Sequence, residues 1–409
     1  MRVRRATGAL LGGLLAVITT CRAELPPTGD QALFAPEELT AIYRHSPLGP
    51  LPGDPTDRVA DDPRAAALGQ FLFFDSRLSA NGKVSCATCH QASHAFTDGK
   101  PVATGVGAGT RNSPTVINAA YNQWYFLDGR SDSLWSQALQ PIENPAEMGS
   151  DRLHSVLLVA QDPALRRSYE QVFGPLDRHA IDRTFANIGK AIEAYERRLV
   201  SRPAPFDRYV AALKRGDLLQ QRVLSPAAKR GLKLFVGSAH CDLCHSGPAF
   251  TDAQFHNLGL ASPQDTGRAA GIRFLRADPF NSAGAFSDAP YESRDRLTFL
   301  PDPDTQLGAF KTPSLREVSR TTPYMHDGRF NDLAQVMGFY AADDLSRHRG
   351  AITGRREGTL DLVPHLTRGE HHLEIGRALN HELQKHGSAG ERAFPPVRAG
   401  RLHRRRKLP

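Results

Sequence analysis

Two five-residue motifs constrain this chain more than any other feature: Cys86-Ala87-Thr88-Cys89-His90 and Cys241-Asp242-Leu243-Cys244-His245. The C-x-x-C-H spacing is the attachment pattern of c-type haem. Two thiols three positions apart can bond the two vinyl groups of one porphyrin, and the adjacent imidazole then reaches the iron. A zinc site would need four well-placed ligands, and a redox C-x-x-C would need a βαβ setting; neither pattern is evident. Only five cysteines occur in 409 residues, too few for a disulfide-built scaffold. Four form the two motifs, leaving Cys21 as the odd one.

The first 23 residues read as an address. Arg2, Arg4 and Arg5 precede an apolar run from Ala9 to Ile18, and Thr19, Thr20, Cys21, Arg22 and Ala23 follow. That order describes a secretory signal cleaved after Ala23, and the run is too short to span a bilayer. A lipid on Cys21 is the alternative, although Thr20 suits that signal poorly; an ordinary buried helix is another. The expected location is the periplasm, and the expected protein is not an integral membrane one. Ten of the basic residues lie in residues 1–23 and 396–409, which carry no acid, so the net +8 shrinks to −2 for the body. A nucleic-acid-binding face is not indicated.

The body repeats itself. Ala95-Phe96-Thr97-Asp98 follows the first motif, and Ala249-Phe250-Thr251-Asp252 follows the second. Pro114-Thr115-Val116 matches Pro313-Ser314-Leu315, and eleven residues after each proline begins Y-x-x-D-G-R-x-x-x-L, at Tyr125 and at Tyr324. Shared spacing of this kind indicates a duplicated unit. Each unit opens with a capped helix. Asp62-Pro63 starts one, with Leu68, Phe71 and Leu72 inward; Ser225-Pro226 starts the other, with Leu232 and Phe235 inward and Gly237 as its stop. A long helix through Ala186, Ile192 and Leu199 ends at Ser201-Arg202-Pro203-Ala204-Pro205. The expected division is a signal at 1–23, a first domain at 24–203, a second at 204–386, and a basic disordered tail at 387–409. Period-two alternation is scarce, so the fold class is mostly α with long loops.

The repeat indicates which iron is open. Leu333, Val336, Met337 and Tyr340 share one helix face, starting near Asn331 or Asp332. Tyr340 falls fourteen residues after His326, and the same offset from Leu127 reaches Pro141. Tyrosine can bind iron and proline cannot. The first haem is then open and the second capped by Tyr340, unless Tyr340 is a core aromatic and Met337 or Met325 is the ligand. Gln137, Glu143 and Glu147 lie close to Pro141. A carboxylate there can move a proton between the two oxygens of bound peroxide. The bland alternative is a solvated loop glutamate.

These residues resemble the bacterial di-haem cytochrome c peroxidase family. The resemblance runs from about Pro63 to Leu383 and is carried by both C-x-x-C-H motifs, Arg111-Asn112-Ser113-Pro114-Thr115, Asp128-Gly129-Arg130, Gln137, Glu147-Met148 and Pro323-Tyr324-Met325-His326-Asp327-Gly328. It implies two tandem cytochrome c-like haem domains, two covalently bound haems c, and peroxide reduction at the N-terminal haem with electrons fed through the C-terminal one. Glu147 and Gln137 match the family's distal acid and amide. Asn112, Thr321 and Pro323 match positions that hold a calcium ion.

Two departures from the peroxidases matter. Tyr340 stands where they have methionine, as in the MauG branch, whose members oxidise protein side chains. No histidine occurs between His94 and His154, with Thr104 about where an activation histidine would be, so the first haem is expected to be ready without reductive activation. Against both branches, Leu127 replaces the tryptophan that lies between the haems; Trp124, Tyr125 and Trp135 are the candidates for its role. Asp278 to Pro303 reads as a surface loop available to a partner, Leu366 to Leu383 as a closing helix, and His240, His256 and His326 as hydrogen-bonded structural histidines. Three functions follow. One is a peroxidase that reduces hydrogen peroxide with electrons from a small cytochrome c or cupredoxin. The second is a MauG-like oxidase of a partner protein, and the third a non-enzymatic electron carrier.

Overall fold

The computed structural model describes residues 29–260 and 264–341. The signal segment with Cys21, the Leu366–Leu383 pattern and the basic tail lie outside them. The described residues form twelve helices: α1 (Pro36–Arg44), α2 (Pro63–Phe74), α3 (Cys86–Cys89), α4 (Leu134–Glu143), α5 (Arg152–Gln161), α6 (Pro163–Phe173), α7 (Ile181–Glu196), α8 (Pro205–Arg215), α9 (Pro226–Val236), α10 (Arg268–Ala277), α11 (Arg294–Thr298) and α12 (Leu333–Ala341). Strand is confined among them to β1 (Phe255–His256) and β2 (Phe310–Lys311), antiparallel, with Phe255 opposite Lys311. The mostly helical class is as expected.

The helix starts follow from short-range chemistry. The Asp62 carboxylate accepts from the Arg64 amide at 2.7 Å, and proline at the first helical position lacks the N–H that would be orphaned there. Ser225 caps α9 in the same way, accepting from the Ala228 amide at 3.2 Å, and Asp332 caps α12 by accepting from Gln335 at 2.8 Å. On α2, Leu68 and Leu72 face inward as expected, but Phe71 is half exposed and Phe73 is fully buried instead. The helix turns Phe73 toward α7, the central element of the first core, on which both α2 and α4 pack. Phe185, Ile188, Ala191 and Ile192 of α7 are fully buried, each contributing about 1.5–3 kcal/mol for the large side chains.

Two segments pack away from their sequence neighbours. Phe34 and Ile42 join Tyr209, Val210 and Leu213 of α8, and the His45 ring lies 3.0 Å from the carbonyl of His245. The N-terminal strap thus covers the second motif. The Asp278–Pro303 segment is not a free surface loop, which corrects the sequence reading. Phe280 stacks on Phe286 and meets Phe185 of α7 edge-on at 5.7 Å, Ser282 donates to the Asp132 carboxylate, and Asp288 accepts from Lys190 at 2.7 Å. Its aspartates and serines looked like solvated residues because their partners are about a hundred or more positions away.

The internal repeat is also a repeat in space. Thr115 donates to the Ala95 carbonyl and Ser314 to the Ala249 carbonyl, both at 2.6 Å. Tyr125 pairs with Ser131, and Tyr324 with Phe330, across the two D-G-R turns.

Candidate functional site

Each C-x-x-C-H motif forms a short helical turn, capped by His90 in the first and by Cys244, just before His245, in the second. The four thiols are free and half-buried. Five or six residues on, a phenylalanine in the left-handed region (Phe96 φ 58°, Phe250 φ 53°) turns its carbonyl back onto the imidazole. His90 Nδ1 lies 3.1 Å from the Phe96 carbonyl, and His245 Nδ1 lies 3.0 Å from that of Phe250. Binding Nδ1 in this way leaves Nε2 as the ligand nitrogen and sets the ring's orientation. Burial holds both imidazoles below the usual histidine range, so they are neutral and ligand-competent. Among the described residues one other set of metal-capable side chains converges, Cys244 with Asp252 and His256. That is one ligand short of a closed zinc site, and His256 is paired with Asp252 at 2.8 Å.

The chain fits two covalently held porphyrins. Beyond the thiols and oriented imidazoles, α7 carries a buried acid, Glu196, 3% exposed, whose Oε2 has no hydrogen-bond partner. Its charge acts on the Cys86 thiol and the Tyr125 phenol, and burial raises its own pKa to about 8. An orphaned buried acid beside an attachment cysteine is what a missing polar group leaves behind. Sequence reasoning overlooked Glu196. The signal was available: a charged residue four positions after Ile192 on the apolar face of α7.

Glu147 lies in the loop after α4, close enough to the first motif for its charge to act on Cys86 and Cys89. Burial pushes its carboxyl above the usual range, against the lowering effects of the Arg130 guanidinium and the Asn144 amide. Asn144 Nδ2 donates to Glu147 Oε1 at 2.7 Å, and Arg130 Nη2 stands 3.9 Å from the same oxygen. Oε2 is left to exchange a proton. The segment holding Thr104 closes over this loop, with the Val106 amide donating to the Glu147 carbonyl at 2.7 Å. Gln137 is a half-buried residue of α4 whose carboxamide makes no hydrogen bond among the described residues. Glu143 turns elsewhere, pairing with Arg152 at 2.9 Å.

Around the second motif, α12 packs Met337 against Ala239, beside Leu234 and Cys241. The charges of Cys241 and Cys244 and burial together raise the Tyr340 phenol well above the usual range, burial contributing most. Met325 instead sits in the D-G-R turn at φ 71°.

Between the halves, the Asn112 amide donates to the His326 carbonyl at 2.9 Å, and Asn112 Nδ2 donates to the Lys100 carbonyl at 2.8 Å, leaving Oδ1 unused. Thr321 Oγ1 donates to Val318. Arg111 binds Asp265 and Asp128 together and lies over Phe310, which stacks on His326 at 3.8 Å. His326 is thus held by stacking, and His240 is exposed. Of the three candidate relays, Trp135 is fully buried in the first core, bonded to Thr56. Tyr125 belongs to the same core. Trp124 lies at the inter-half contact, under the Arg268 guanidinium at 4.5 Å and near that of Arg296 at 5.7 Å. Two cations over its face oppose a positive charge on the indole.

The family model for di-haem cytochrome c peroxidase matches residues 63–215. The methylamine utilization protein MauG of Methylorubrum extorquens is 36% identical over 80% of this chain and 82% of its own length. The chain belongs to the di-haem cytochrome c peroxidase and MauG family. The cytochrome-c peroxidase IdrP1 of Denitromonas iodatirespirans is 34% identical, covering 80% of this chain and 83% of that one. In structure, a MauG-like protein associated with microbial copper homeostasis superimposes with a TM-score of 0.59 at 25% identity, over 82% of this chain and 93% of that one. Family membership makes the chain a peroxidase-type oxidoreductase that carries two haem groups. No helix among the described residues is long and apolar enough to cross a membrane.

Proposed function

We propose that this chain is an exported peroxidase that reduces hydrogen peroxide to water beside Glu147, drawing electrons from a small cytochrome c or cupredoxin. Cys86, Cys89 and His90 would hold the peroxidatic haem, and Cys241, Cys244 and His245 the electron-transfer haem with Tyr340 as its second ligand. The two units are the halves on either side of about residue 203, with the strap at residues 29–46 laid over the second. When bound, the first haem supplies an open iron site and the second a path for electrons. The balance is one peroxide, two electrons and two protons giving two waters.

The observation that carries this reading is the environment of Glu147. Its carboxyl is half-buried near Cys86 and Cys89, desolvation brings its pKa nearer the working pH than that of a solvated glutamate, and Asn144 and Arg130 position one oxygen while freeing the other. Glu147 accepts the proton of one peroxide oxygen at Oε2 and returns it to the other, so that oxygen leaves as water. Gln137, with its carboxamide uncommitted, orients the peroxide. In the haem-loaded protein, Glu147→Gln is expected to slow peroxide consumption by about 10²–10⁴-fold while both haems stay attached. Wild-type rates in that variant would remove the reading.

A second reading rests on Tyr340. Its place beside Cys241 and Cys244 favours a MauG-like oxidase acting on side chains of a partner protein. Such a protein would turn over slowly with small donors and hold its oxidised state for a long time after peroxide. A calcium ion bound by Asn112 Oδ1 and the carbonyls of Thr321 and Pro323 would tie the halves at the Asn112–His326 contact.

A further inference from the structure

Peroxide reduction consumes two protons per turnover, and Arg130, Asn144 and the Val106 loop crowd Glu147, whose side chain keeps 26% of its surface exposed. A cavity of about 480 Å³ opens on the far side of those two partners. Arg130, Gln140 and Asn144 line it from the first half, and Asp278 and Phe280 from the second. It has room for roughly a dozen waters. A second, more open pocket of about 540 Å³ lies on the outer side of the inserted segment, lined by Asn281, Arg294 and Thr298 among others. The two share one wall: Ala277, Asp278 and Pro279.

The geometry points to Asp278 as the proton-loading residue of the peroxide site, passing protons from the outer pocket through the inner cavity to Glu147. This rests on the reading of Glu147 as the proton carrier. Asp278 Oδ1 accepts from the Phe280 amide at 2.9 Å, which fixes the side chain in the wall. Oδ2 faces Gln140 Nε2 at 3.4 Å; Gln140 Oε1 accepts from Arg130 Nε at 3.0 Å, and Arg130 reaches Glu147. The Gln140 amide and the Arg130 guanidinium frame the route while cavity water carries the proton, since neither group gives one up at neutral pH. Burial raises the Asp278 carboxyl, and the charges of Asp132 and Glu143 raise it further. Of the cations nearby, Arg130 is committed to Asp128 and Gln140, Arg152 to Glu143 and Asp182, and Arg296 to the Asp132 carbonyl; Arg276 and Arg294 line the outer pocket. The net step moves one proton from solvent to Asp278 and one from Asp278 to Glu147, with no bond to carbon or iron changed. Asp278 is a positioning residue that acts through Glu147.

The test uses haem-loaded protein, Asp278→Asn, and Ala277→Phe, which adds bulk at the wall the two pockets share while keeping the carboxyl. Single-turnover peroxide consumption and proton uptake, read with an indicator dye, are followed across pH. Both variants are expected to lose about tenfold in proton-uptake rate above neutral pH; Asp278→Asn is expected to approach wild type at acid pH and Ala277→Phe to stay slow there. Acetate, small enough for the inner cavity, is expected to restore Asp278→Asn and not Ala277→Phe. Wild-type pH profiles in both variants, or no acetate rescue in a folded Asp278→Asn, would overturn the route. Such a result beside a slow Glu147→Gln would leave the catalytic reading standing, whereas a Glu147→Gln at wild-type rate would overturn both.

Discussion

Gly129 and Gly328 are counterparts in the two D-G-R turns, and each presses a bare α-carbon against the opposite half. Gly129, at φ 66°, has no room for a Cβ because Phe255 and Arg268 stand against it; Gly328, at φ 65°, meets the backbone of Pro101. The duplicated turn has become a reciprocal docking device. Gly328→Ala combines a left-handed conformation with a collision against backbone that cannot yield, so it is expected to lose about 3 kcal/mol and several degrees of Tm, read by thermal melting.

The Asn144–Glu147 hydrogen bond favours the ionised carboxylate. Removing it in Asn144→Leu lets burial raise the Glu147 carboxyl further. In its proposed role Glu147 must be ionised to take the first proton, so the acid limb of the kcat/KM profile for peroxide is expected to move to higher pH. A limb that stays in place would mean that Asn144 does not tune this acid.

Asp207 and Arg316 form an ion pair with side chains 7% and 5% exposed. Burial alone would raise the Asp207 pKa, but the bonds from Arg316 and Ser46 bring it below the usual range. A depressed folded pKa contributes stability above the unfolded value of 3.8, and that stability is lost as pH falls through the folded one. Asp207→Asn is expected to cost about 3 kcal/mol near neutral pH, because it strands a buried guanidinium, and the gap to wild type should close in acid denaturation series.

Tyr340→Phe removes the phenol beside the second motif. Electron paramagnetic resonance of the resting haem-loaded protein is expected to show a changed low-spin signal with the high-spin signal intact. An unchanged spectrum would point to Met337, which shares the helix face and lies packed against Ala239.

Chelation by EGTA is expected to lower the Tm of the loaded protein by roughly 5 °C if an ion holds the Asn112–His326 junction. Asn112→Ala should start from the lower Tm and show no further loss.

The sequence by itself determined what depends on near neighbours. Two thiols and an imidazole at fixed spacing point to haem attachment, Asp62 and Ser225 mark helix starts, and the doubled D-G-R motif marks the repeat. Only the tertiary structure decided what depends on distant neighbours. Glu147 and Glu143 stand four residues apart and are chemically alike, yet one is desolvated beside Cys86 and Cys89 while the other is neutralised by Arg152. The Asp278–Pro303 segment has the composition of a solvated loop and instead supplies Phe280 to the first core and Asp278 to a shared cavity wall. The reason is physical: desolvation and long-range pairing are properties of what packs against a group, and no local spacing encodes them.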